Sequence, residues 1–147
     1  MTLRSDQHQV LRLAIVLLGL GAIAGLFELS ARQAPYTPLE LGLLPGPIQQ
    51  LRDAALVHGF MAFLAGLSLP AAWTTPPAPK RFMGLLVVGH ALLFAALLWA
   101  AFSGRMAVQI WDPRPLLVAL TALRIVGHLT VVGAYWMWAR RLWRALG

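Results

Sequence analysis

The chain has 147 residues, 59% of them hydrophobic and 12% charged, with a mean hydropathy of +0.71. Soluble globular proteins hold about 45–50% apolar and about 25% charged residues, so this composition excludes an ordinary soluble domain and points to an all-α integral membrane protein. The net charge of +7 forms no basic stripe beside aromatic stacking positions, which argues against nucleic acid as a partner. The absence of cysteine excludes disulfides, thiolate metal sites, iron–sulfur clusters and covalently attached haem.

At about 20 residues per span, the length accommodates four spans in a single transmembrane domain, residues 1–147. The first span is expected over 10–29. Its hydrophobic run, Leu13 to Leu29, is longer than the 7–15 residues usual in a signal peptide, so we read it as retained. Gly21, Gly25 and Glu28 share one face, and the G-x-x-x-G spacing permits close helix contact. The stretch Ala34 to Gln50 follows, with Pro35, Pro38, Pro45 and Pro47, and is expected to lie as a loop along the membrane surface or over the bundle.

The second span is expected over 51–73. It carries His58, flanked on its own face by Ala54, Ala55, Ala62, Ala65 and Gly66, a lane with room for a flat macrocycle or a neighbouring helix. Pro70 should kink or end it, before the turn Thr74 to Pro79. The third span, 82–102, carries His90 on a face with Met83, Val87, Phe94 and Leu97. The fourth, 115–139, follows the cap sequence Trp111-Asp112-Pro113-Arg114-Pro115. On it Thr121, Arg124, His128 and Tyr135 recur at helical spacing and form one lane, expected to point into the protein. Arg124 lies roughly 15 Å from the outer end and needs an anion, either Glu28 or a carboxylate of a ligand.

Arg4, Arg12, Lys80, Arg81, Arg140, Arg141 and Arg144 face only Asp6 on one side of the membrane, whereas the other side is mixed in sign. The positive-inside rule therefore puts both termini in the cytoplasm of a bacterial-type inner membrane. Trp73, Trp136, Trp138 and Trp143 then form an inner aromatic belt, with Trp99 and Trp111 in the outer one.

Three of the four histidines thus fall inside three different spans, and an imidazole in hydrocarbon is a mark of function. His90 and His128 lie roughly 20 Å from the outer ends of their helices and His58 roughly 10 Å. That spread argues against a zinc or copper site, which needs three or four converging ligands. Haem brings four nitrogens of its own and needs one or two histidines and partners for its propionates. Haem b is therefore the expected cofactor, with His58, His90 and His128 as metal ligands and Arg124, Arg52 and Arg114 as propionate partners.

The segment Ala55-Leu56-Val57-His58-Gly59-Phe60, followed by a proline-rich inner turn, a further span and an outer loop, resembles helices two to four of haem-copper oxidase subunit I over about residues 51–140. The resemblance implies a small, truncated four-helix relative in which His58 is an axial ligand of a low-spin haem. The chain lacks the family's twelve spans, an adjacent histidine pair for copper and an H-P-E-V-Y segment, so the kinship does not extend to oxygen reduction. The resulting expectation is a cytochrome b-like protein for electron transport with a quinone or a partner subunit, or for binding a diatomic gas. The alternatives are a cofactor-free accessory or assembly subunit of a respiratory complex, and a membrane enzyme acting on a lipid or quinone. A homo-oligomer is compatible with all three.

Overall fold

The computed structural model describes residues 4–33, 45–74, 78–102 and 114–147, and at 31–33, 45, 102 and 114 the backbone alone. It is all-helical. Helices α1 (Ser5–Gln33), α2 (Pro45–Ala72), α3 (Lys80–Phe102) and α4 (Arg114–Leu146) are each long and apolar enough to cross a membrane. Residues 34–44 of the surface loop expected over 34–50, the outer-side Arg105 and Trp111, and the side chain of Arg114 lie outside the described residues, and 45–50 are the start of α2.

The helices run alternately up and down and meet in pairs. Glycine sets both close contacts. Along α1 and α2, a Cβ at Gly21 would sit 2.8 Å from the Leu56 side chain, one at Gly59 2.9 Å from Leu18, and one at Gly66 2.8 Å from Leu11. The small-residue lane around His58 is therefore filled partly by a neighbouring helix, one of the two uses open to it. Between α3 and α4 the contact is backbone to backbone: a Cβ at Gly127 would sit 2.6 Å from the Leu93 nitrogen and 3.0 Å from the Gly89 carbonyl oxygen. The two pairs join where α2 packs against α3 and α4.

Inside are two apolar clusters. Leu69, Phe82, Leu86, Val131 and Trp138 fill the half nearer the chain termini, and Leu51, Ala55, Leu93, Phe94 and Leu97 fill the other. Outside, Ile15, Val16, Leu26, Val118, Leu129 and Trp136 are exposed, an apolar exterior that suits a lipid-facing surface. Trp73 and Trp138 are buried, so only Trp136 and Trp143 of the expected inner belt face outward. Trp138 instead donates its indole N–H to Ser68 Oγ at 2.9 Å.

The terminal end is tied by polar contacts. Asp6 accepts from Arg4 at 2.8 Å and from the Ala78 backbone N–H at 2.7 Å, and Arg4 Nη1 donates to the Trp73 carbonyl at 2.6 Å. Pro70 lies inside α2, which ends two residues later at Ala72.

Candidate functional site: a histidine cluster between three helices

Helix α2 starts at Pro45, not at Leu51. Pro45 and Pro47 occupy its first turn, where a proline costs no intrahelical hydrogen bond and its fixed φ already suits the helix. This correction moves His58 to the thirteenth residue after the helix start, roughly 20 Å in at about 1.5 Å per residue. The expectation that His58 lies nearer the outer end is overturned: it stands level with His90 and His128. The depth argument against a shared metal ion falls with it.

The three rings meet. The centroid of His58 lies 5.2 Å from that of His90 and 5.6 Å from that of His128, edge to face in both cases. Tyr135 lies 6.3 Å from His58 and 6.0 Å from His90, and Phe94 is 6.1 Å from His58. The cluster falls in register between the two apolar clusters, and His58 and His90 are 7% and 2% exposed.

The approach of α3 to α4 explains how the rings are brought together. Gly127 lets the α4 backbone touch α3 at Gly89 and Leu93, and His90 and His128 each follow one of these glycines directly. His58 in turn precedes Gly59, where α1 presses on α2. Each imidazole thus sits beside a glycine at a helix crossing. Tyr135 reaches across from α4 and donates its hydroxyl to the His58 backbone carbonyl at 3.1 Å.

The ring nitrogens are not equivalent. His90 Nδ1 lies 2.6 Å from the Leu86 carbonyl oxygen. A carbonyl can only accept, so Nδ1 carries the hydrogen, and in the neutral ring Nε2 keeps a lone pair. That Nε2 is buried without a partner, as is His58 Nδ1. Backbone anchoring of one ring nitrogen with the other left as a lone pair is the arrangement that orients metal-ligating histidines. As the side chains stand, no group of three or more His, Cys, Asp or Glu among the described residues could hold one metal ion.

His128 is exposed and lines a groove of about 440 Å³ with Leu93, Thr121, Arg124, Ile125 and Leu129. This corrects the expected inward lane on α4: Tyr135 is buried, but Thr121, Arg124 and His128 face outward. The reason is the pairwise packing. Only 11% of the apolar stretch of α4 is buried, against 44% in α3.

The expected partnership of Arg124 with Glu28 is also corrected. Glu28 is buried and is met by Arg52, which also binds Asp53 at 2.7 Å. Arg124 Nη1 instead donates to Gln50 Oε1 at 3.0 Å. Of the three arginines expected to meet propionates, Arg124 shares the groove with His128, Arg52 is taken up by two carboxylates, and Arg114 begins α4 with its side chain outside the described residues.

No protein-family model matches the chain, and no curated protein or solved structure matches it.

Proposed function

We propose that this chain is a haem-b-binding protein of a bacterial-type inner membrane, with both termini cytoplasmic, that transfers electrons with a quinone or partner subunit or binds a diatomic gas. The observation that carries the reading is the meeting of three imidazoles from three apolar helices, two of them with buried ring nitrogens that lack a partner. The groove beside His128 supplies what a porphyrin needs: an apolar wall of Leu93, Ile125 and Leu129, one imidazole, and a guanidinium for a carboxylate. When bound, haem supplies one-electron chemistry or an open iron position for a gas.

In this reading His128 would hold the haem iron and Arg124 would pair with a propionate. His58, edge-on to His128, positions its ring, and Leu86 fixes the tautomer of His90 behind them. The oxidase-like segment would instead have His58 hold the iron, and single variants separate the two assignments. Protein expressed with haem supplied and purified in mild detergent should show a Soret band that His128→Ala abolishes. A wild-type spectrum without that band overturns the reading.

The short ring separations favour a second reading, a transition-metal ion held directly by the three histidines after rotation of their rings. Metal analysis of the same preparation distinguishes the two. Zinc or copper near one per chain, with no Soret band, supports the second.

A further inference from the structure

Helix α4 has 33 residues, roughly 50 Å at about 1.5 Å each, against a hydrocarbon core of about 30 Å. With the chain set across a membrane as proposed above, its basic last turns extend to where lipid headgroups lie. There Arg140, Arg141 and Arg144 edge a cavity of about 240 Å³ whose other walls are Trp73, Pro79 and Met137. All three arginines are exposed, and among the described residues no carboxylate lines the cavity. Asp6, the acid expected at this end, is already engaged by Arg4 and the Ala78 N–H.

The second observation is Trp73. It is 7% exposed, its ring packs 4.7 Å from Phe82, and its carbonyl is held by Arg4, yet its indole N–H is buried with no acceptor. The buried indole of Trp138, by contrast, has Ser68. Trp73, with its orphaned N–H, lines the same cavity as three exposed guanidinium groups and an apolar wall, a combination that suits an anion with several acceptor oxygens and an apolar body. Guanidinium forks match phosphate oxygens two at a time, and basic pockets between helices bind anionic headgroups in this way.

We propose that this cavity binds the phosphate of an anionic membrane lipid. The phosphate oxygens lie among Arg140, Arg141, Arg144 and the Trp73 N–H, and the glycerol and upper acyl chain lie against Met137. This site is separate from the histidine cluster and does not depend on haem.

The test uses full-length protein in nanodiscs of phosphatidylcholine with one-fifth phosphatidylglycerol, followed by native mass spectrometry of the lipid retained. Wild type should keep phosphatidylglycerol in preference, and the preference should survive added inorganic phosphate. The double variant Arg140→Gln/Arg144→Gln should lose it about tenfold, whereas the control Arg12→Gln/Arg81→Gln, equal in charge, should lose less than about twofold. Trp73→Phe, which keeps the ring against Phe82 and drops only the N–H, should weaken retention severalfold with the helical circular dichroism unchanged. Equal loss in the control pair, equal retention of both lipids by wild type, or displacement of the lipid by inorganic phosphate would each overturn the proposal.

Discussion

A glycine beside each imidazole does as much for the site as the imidazole itself. At Gly127 an added Cβ meets the backbone of Leu93 and Gly89, atoms that cannot swing away, so Gly127→Ala must push α3 from α4 and separate His90 from His128. The expected loss is about 1–3 kcal/mol, the usual cost of overpacking a well-filled contact. Gly133 has open space around it, so Gly133→Ala should gain about 0.5–1 kcal/mol. Unfolding by sodium dodecyl sulfate, followed by circular dichroism, measures both, and equal effects would refute the crossing as the determinant. At this scale the sequence was partly legible: His58, His90 and His128 stand out because imidazoles are rare in hydrocarbon. The dipeptides His58-Gly59, Gly89-His90 and Gly127-His128 were the signal that the rings meet at crossings, but glycine is common in membrane helices and does not by itself say which helix it faces.

At the scale of the helix, boundaries decided what could be read. All four helices are visible in hydropathy, but prolines at 45 and 47, read as loop, also suit a first helical turn, and the difference moves His58 by about 10 Å along the helix axis. The polar lane of α4 was legible as a lane, since 121, 124, 128 and 135 share a face. Its surroundings were not, because they depend on how far α2 and α3 cover α4, a matter of three-body packing. Glu28 found Arg52 for the same reason: the close α1–α2 contact at Gly25 brings the Arg52 stem to 3.6 Å from that glycine's Cβ position. Asp6 offers a check on how the elements are tied. Asp6→Ala should lose about 1–3 kcal/mol by removing the acceptor of Arg4 and the Ala78 N–H, and Asp6→Asn, which keeps one acceptor oxygen, should lose less. The same detergent titration reads both, and indistinguishable losses would show that the charge alone matters.

For the molecule as a whole, two helix pairs, α1 with α2 and α3 with α4, meet along a polar seam of imidazoles at mid-depth. An apolar exterior surrounds it, interrupted at the groove by Arg124 and His128. Alternating helices bring both ends of the chain to one end of the bundle, where the basic residues also gather. Tags fused to either terminus should therefore both resist protease added to intact spheroplasts and both be cleaved after lysis. A tag cleaved in intact spheroplasts would reverse the cytoplasmic assignment. The proposed cofactor ties these levels together: helical spacing sets His128 beside Arg124, the open face of α4 exposes both, and the crossing glycines and shared depth bring His58 and His90 to the same level. The most direct measurement is haem b per chain, by pyridine haemochrome, for wild type and for His58→Ala, His90→Ala and His128→Ala purified alike. The account predicts about one haem per chain in wild type, none in His128→Ala, and a shifted but present Soret band in the other two. Full haem in His128→Ala, or none in wild type, would contradict it.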